Sequence, residues 1–289
     1  MLYIKIFLNK VYLYLSNLVS FLSLSSILIA LIGILLPYFT FLLYEIKIDF
    51  NLLLSSFLLT FSVYSLDKLS NIKEDSISLP ERAGFISNYS KLFTYATVAS
   101  YIVALTLTLL INTLAFYVIL FPLCMGLIYS IKISNFRLKD IPALKNISIA
   151  VSWAVVGTFL PLAVSFEFLT LVALIFYFVF IKCFINTVLF DIRDIEGDSA
   201  NGVRTIPVIF GVNKTKNLLL VLNSTLIAWI MISYSQGFFH QYLFVLMFSI
   251  FYGYWYIVYF CRKDIKIGKS LDLLVDGEWI YIAIFTFFL

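Results

Sequence analysis

Nine stretches of almost purely apolar residues succeed one another along the chain, at roughly 20–44, 50–66, 93–111, 113–131, 146–165, 168–190, 217–234, 241–260 and 273–289. Each approaches the ~20 residues that a helix needs to cross the hydrocarbon core of a bilayer. That core offers the backbone no water, so such segments must satisfy their own peptide groups as helices packed side by side. The expected fold is therefore all-α and polytopic: about nine transmembrane helices in one bundle, a single domain over residues 1–289. Composition agrees, since 62% of residues are hydrophobic and 12% charged, with a mean hydropathy of +1.02, well outside the habit of soluble domains. The first stretch carries no small-residue cleavage site and is expected to be a span rather than a removable signal.

Charge placement orients the bundle. All basic residues except Lys47 and Lys182 fall in the loops of one side, which the preference of Lys and Arg for cytoplasmic loops identifies as the cytoplasmic face, with the N-terminus there. Most acids share that side, and its loops after the second and sixth stretches are long, so an active-site cap is expected at the cytoplasmic face. The net charge of +4 is this bias rather than a nucleic-acid footprint, because no basic stripe interleaves with stacking aromatics. Cys124, Cys183 and Cys261 show no metal-like spacing and read as small buried side chains, and the single histidine, His240, reads as a surface or interfacial residue.

Two acidic patterns stand at the ends of apolar stretches. After the second, "VYSLDKLSNIKED" places Asp67, Asn71 and Asp75 at i, i+4 and i+8, with Tyr64 about one turn earlier. After the sixth, "DIRDIEGD" places Asp191, Asp194 and Asp198 at i, i+3 and i+7, and Thr187 and Cys183 continue that line back into the membrane. On a helix of 3.6 residues per turn each set forms one stripe. Either stripe alone also fits solvated charges capping a span. Together they are harder to place that way, because converging carboxylates repel unless a cation lies between them. Mg²⁺ commonly joins one or two carboxylates to substrate phosphates, so facing stripes point to a diphosphate held between two Mg²⁺ ions.

Basic residues in the same loops supply phosphate contacts: Arg82 in "LPERAGF", Arg137 and Lys139 in "NFRLKDIPALKN", and Arg204 in "GVRTIP". Tyr129, at a membrane edge beside Lys132, joins them as a binding candidate. Lys182 and Asn186 lie inside the sixth stretch, where ionisable and polar groups face a cavity or a partner. They are expected, with Tyr64, to line a cavity. The 18% of aromatic residues provides rings able to face a cation.

These residues together resemble the UbiA superfamily of intramembrane prenyltransferases. "DIEGDSANGVRTIPVIFG" is similar to the family's D-x-x-x-D stripe and its following G-x-x-T-x-P segment, with Asp194 and Asp198 as the pair. "YSIKISNFRLKDIPALKN" looks like the loop after the family's fourth helix, and "LLVDGEWI" like a C-terminal segment of some members. The first stripe departs from the family's N-x-x-x-D-x-x-x-D by exchanging two residue types, Asp67 for Asn and Asn71 for Asp, and "SLPERAGFI" lacks the R-P-x-x-x-G pattern.

The resemblance implies Mg²⁺-dependent transfer of an isoprenyl group from a prenyl diphosphate to a membrane-associated acceptor. An aromatic, quinone-type precursor is the commonest acceptor; a glyceryl phosphate leading to ether lipid, or internal cyclisation of a terpene, are alternatives. Asp67, Asn71, Asp194 and Asp198 are then the catalytic set, and with Asp75 and Asp191 the metal set. Partners are the donor, the acceptor and membrane lipids, with no nucleic acid. A non-catalytic lipid-binding or transport protein is the alternative from another class; it calls for polar residues spread through the membrane depth, whereas here they gather at one face.

Overall fold

The computed structural model describes residues 18, 20–72, 76, 79–130, 132–133, 136–137, 143–200, 202–262 and 269–289. Its elements are α1 (Ile27–Leu43), α2 (Phe50–Ser70), α3 (Pro80–Asn88), α4 (Ser90–Ile111), α5 (Thr113–Ser130), β1 (Lys132–Ile133), β2 (Phe136–Arg137), α6 (Leu144–Phe159), α7 (Leu169–Arg193), α8 (Ile195–Ala200), α9 (Ile206–Ser235), α10 (Leu243–Phe260) and α11 (Glu278–Phe287). A π-helical turn, Asp272–Asp276, leads into α11. The two short strands pair antiparallel, Lys132 opposite Arg137.

Among the described residues six helical segments are long and apolar enough to cross a membrane: Phe50–Ser70, Ser90–Ile111, Leu144–Ala163, Leu169–Arg193, Ile206–Ser235 and His240–Phe260. The three remaining apolar stretches correspond to shorter helices, α1, α5 and α11. This is the architecture of a membrane protein. Strongly exposed apolar side chains such as Leu110, Phe166 and Phe287 fit surfaces turned to lipid or its boundary.

Local chemistry sets several boundaries. Asp49 caps α2, its Oδ1 accepting from the amides of Asn51 at 2.8 Å and Leu52 at 3.1 Å. Asn112 separates α4 from α5, and its Oδ1 accepts from the Leu114 amide at 2.8 Å. The stretch expected as one helix from residue 20 is broken at Ser26, which adopts φ 64°. Lys68 of α2 turns this break to use: its buried ammonium donates to the carbonyls of Ser23 at 2.7 Å and Leu24 at 3.2 Å, the groups that a helix leaves free at its end. Helix α9 begins well before the expected residue 217, with Pro207 in its first turn, and kinks at Gly211, whose φ of 75° and ψ of 160° suit glycine. Cys183 and Cys261 are buried, but Cys124 is exposed.

Packing is organised around α7, which lies against α6 and α9 and contributes Phe178, Val179, Ile185 and Val188 to the larger apolar core. A second core joins α2, α4 and α5 through Leu52, Leu59, Ala104, Ala115 and Ile119. Lipid tails are as apolar as leucine, so close fit rather than water exclusion holds such helices together. Gly33 shows this: a Cβ there would run into the Thr60 side chain across the α1–α2 contact. Replacing Gly33 with Val is expected to lower stability by about 1–3 kcal/mol through overpacking. Gly84→Ala, where nothing lies within 4 Å of the added carbon, should stay within about 0.5 kcal/mol of the parent. Thermal unfolding of both variants in detergent checks the contrast.

Candidate active site

The second acidic stripe lies where α7 ends and α8 begins. Asp194 terminates α7, its amide donating to the Phe190 carbonyl at 3.1 Å, and the Asp198 amide donates to the Asp194 carbonyl at 2.8 Å. The three carboxylates of this stripe have different surroundings. Asp191 is buried, and both its oxygens are engaged from the start of α6: Oδ1 by the Lys145 ammonium at 2.9 Å and Oδ2 by the Asn146 amide at 2.7 Å. It therefore clamps α6 to α7. Asp194 accepts a two-pronged contact from its neighbour Arg193, Nε to Oδ1 at 2.8 Å and Nη2 to Oδ2 at 2.9 Å.

Asp198 is the open member. Among the described residues its buried Oδ2 makes no hydrogen bond of good geometry, and the only hydroxyl acting on it is that of Thr205, which is likewise without a well-formed partner. Burial pushes its carboxyl up to about 6, the charges of Asp191 and Asp194 act the same way, and Lys145 and the nearby Thr205 hydroxyl oppose them. A carboxylate placed among like charges, with one oxygen unsatisfied, suits a cation.

At the end of α2 the first two members of the first stripe lie side by side, Asn71 as the cap of the helix. Asp67 Oδ1 accepts from the Asn71 side-chain amide at 2.9 Å, and the Asn71 amide N–H donates to the Asp67 carbonyl at 3.0 Å. Asp75 and Lys139 lie outside the described residues, and Tyr129 and Arg137 are placed by their backbone only, in α5 and β2. Arg82 sits in the first turn of α3, and its charge, with those of Arg193 and Lys68, acts on Asp272. Arg204 is exposed on the α8–α9 loop.

Below this face, α7 and the C-terminal segment run antiparallel and are joined by three polar rungs. Arg193 Nη1 meets Asp272 Oδ1 at 3.3 Å. One level deeper, the Asn186 amide donates to Asp276 Oδ1 at 2.7 Å. Deeper still, the Lys182 ammonium pairs with Glu278 Oε1 at 2.6 Å, both side chains almost wholly enclosed. Lys182 also donates to the Ser249 carbonyl at 3.1 Å, the Ser249 hydroxyl donates to Glu278 Oε1 at 2.6 Å, and the Tyr256 hydroxyl to Oε2 at 3.2 Å. A cavity of about 60 Å³ lies beside these rungs, and Tyr64, Lys182 and Asn186 all line it. Tyr64 stacks on Trp153 in its wall, ring centres 6.0 Å apart at 16°.

Sequence reasoning alone did not single out Lys145, Asn146, Arg193, Asp272, Asp276 or Glu278. One signal was available for the last: a lysine at membrane depth demands a counter-charge, and Glu278 lies in the one other apolar stretch that carries acids. His240 is exposed and stacks on Tyr234.

Among the described residues no three His, Cys, Asp or Glu side chains converge to form a complete metal cage. Mg²⁺ does not require one, because it usually binds one or two carboxylates together with substrate phosphates and water. The unsatisfied Asp198 oxygen beside Asp194 fits that habit.

A model of the UbiA prenyltransferase family matches residues 45–267. No curated protein sequence matches the chain. Among solved structures, the chain is similar to a UbiA homologue from Archaeoglobus fulgidus bound to GPP and Mg²⁺: TM-score 0.68 at 16% identity, covering 92% of this chain and 96% of that one. A UbiA homologue from Aeropyrum pernix K1 in its apo form gives a TM-score of 0.71 at 14% identity, covering 90% and 98%. A digeranylgeranylglyceryl phosphate synthase gives 0.58 at 19% identity, covering 93% and 95%.

The deepest rung yields a stability prediction. Glu278→Ala leaves the Lys182 ammonium buried without its counter-charge and is expected to destabilise the protein by about 3–5 kcal/mol, whereas changing both together, Lys182→Met with Glu278→Leu, should recover most of the loss. Unfolding midpoints in detergent distinguish the two.

Proposed function

The chain belongs to the UbiA prenyltransferase family, and from that premise we propose that it transfers an isoprenyl group from a prenyl diphosphate to a membrane-associated aromatic acceptor, with Mg²⁺. The observation that carries the reading is the open carboxylate of Asp198, buried beside Asp194 with one oxygen unpaired. The A. fulgidus homologue bound to GPP and Mg²⁺ supports the choice of donor and ion.

In this reading the donor's diphosphate sits at the cytoplasmic rim between the ends of α2 and α7, and its tail runs among the helices. Asp67, Asn71, Asp194 and Asp198 are the residues that would hold Mg²⁺, with Asp75, four positions after Asn71 in the sequence, as a further candidate. The ion supplies positive charge to the leaving diphosphate, the electrostatic help that breaking an allylic C–O bond requires. Arg82, Arg204, Arg137 and Lys139, with Tyr129, bind and orient the phosphate oxygens. Asp191 acts at one remove: held by Lys145 and Asn146, it fixes the end of α7 and so the direction of Asp194 and Asp198. Arg193 holds Asp194 oriented. As the C–O electron pair leaves with the diphosphate, the stacked Tyr64 and Trp153 rings face the developing cation and exclude water.

Asp194→Ala and Asp198→Ala are each expected to lower kcat by at least about 10²–10³-fold, the range for removing one electrostatic support of a transition state, with unfolding midpoints retained. The assay is diphosphate release from geranyl diphosphate, with and without Mg²⁺, in the presence of aromatic or glyceryl phosphate acceptors. Undiminished release by both variants contradicts the site.

A further inference from the structure

Helix α10 carries a file of aromatic rings that plays no part in the chemistry above. Phe248, Tyr252, Trp255 and Tyr259 recur every three or four residues and so share one face. Their planes lie nearly parallel: successive ring centres are 5.5, 5.3 and 5.4 Å apart, at 15°, 23° and 15°. The Arg262 guanidinium continues the file over Tyr259, 6.0 Å from the ring centre. Phe285 and Tyr281 of α11 meet Phe248 and Tyr252 edge to face. The Tyr252 hydroxyl donates to the Leu274 carbonyl at 2.8 Å, so the rings are already held in place. Trp255 is 45% exposed and the other three are half-buried, which makes the file a strip on the outer surface of a membrane-spanning segment.

Its length and its charge identify what lies on it. From Phe248 to Tyr259 is about three helical turns, roughly 16 Å, which is one leaflet of a hydrocarbon core ~30 Å thick. A belt of Trp and Tyr at the headgroup level accounts only for the last turn, whereas Phe248 and Tyr252 continue the strip into the hydrocarbon. The end at Tyr259 is basic. Arg262 is exposed there, and Lys216 of α9 is close enough for its charge to act on the adjoining Cys261. The sequence from Arg262 to Lys269, "RKDIKIGK", holds four cations against one acid. Basic residues clustered just beyond a span attract anionic lipid headgroups, and a guanidinium lying on a ring keeps its N–H edge for phosphate oxygens.

We propose that this strip binds one anionic phospholipid, its phosphate on Arg262 and Lys216 and one acyl chain along the rings from Tyr259 to Phe248. Because the rings are ordered beforehand, a chain laid on them gives up only its own freedom. The site does not depend on the transfer chemistry, and either reading can fail without the other.

Trp255 reports on the strip directly, since Trp229 and Trp279 are buried and Trp153 stacks on Tyr64. The full chain is placed in phosphatidylcholine nanodiscs, and part of the lipid is replaced by phosphatidylglycerol or phosphatidylcholine brominated on its acyl chains, which quenches indole fluorescence on contact. Brominated phosphatidylglycerol is expected to reach half-maximal quenching at a mole fraction about 5–25-fold lower than brominated phosphatidylcholine, the weight of one or two cations beside an anionic headgroup. Arg262→Gln should reduce that preference about fivefold and Arg262→Gln with Lys216→Gln should remove it, while Trp255→Phe should abolish the preferential quenching. Equal half-points for the two headgroups in the parent protein overturn the proposal. So does a preference that survives the double substitution or persists in Trp255→Phe. Quenching by neither lipid also overturns it, and a dimer in the same nanodiscs would then assign the strip to a second copy of the chain.

Discussion

A charge inside a bilayer cannot be rescued by water, and the antiparallel seam between α7 and the C-terminal segment is where this chain meets that constraint. Lys182 and Glu278 are each too costly to bury alone and become tolerable only as a pair whose remaining valences Ser249 and Tyr256 satisfy. That network ties α11, which packs against α1 and α10, to α7 in one register. The register in turn sets Asn186 opposite Asp276 and Arg193 opposite Asp272. A slip of one residue along either element would break all three rungs, so one buried pair helps to align what lies above it, including the end of α7 that Asp194 caps.

The same logic divides the acids at the rim. Asp191 is spent on Lys145 and Asn146, and Asp194 is braced by Arg193. Asp198 keeps an oxygen unpaired among like charges. Neutralised carboxylates give rigidity, and an unneutralised one gives affinity for whatever positive charge arrives. Their spacing lets the junction of α7 and α8 perform both tasks. The proposed function builds on that division, with braced acids holding the open one in place.

Much of this was legible in the residues. Apolar stretches of spanning length gave the helices, because a bilayer permits little else, and the i, i+3, i+7 spacing of Asp191, Asp194 and Asp198 marked them as a set; that Asp191 ends up on α7, Asp194 at its cap and Asp198 on the separate α8 needed the structure. Periodicity along one helix says nothing about what a neighbouring helix presents. The pairing of Lys182 with Glu278, 96 positions apart in sequence, and the capture of Asp191 by Lys145 and Asn146 needed the packed bundle. The break at Ser26 was also hidden, because apolar and small residues run through it without interruption; what makes it tolerable is Lys68, contributed from α2.

The account turns on where the diphosphate sits. Mn²⁺ substituted for Mg²⁺, together with a thio-analogue of geranyl diphosphate that resists ionisation, would locate both by anomalous scattering from metal and sulfur. The account predicts metal density within coordination distance of Asp198 and Asp194, and the thio-bridge between the ends of α2 and α7 with its first carbon directed at Tyr64 and Trp153. Metal and sulfur located elsewhere, with Asp198 still unpaired, would contradict it.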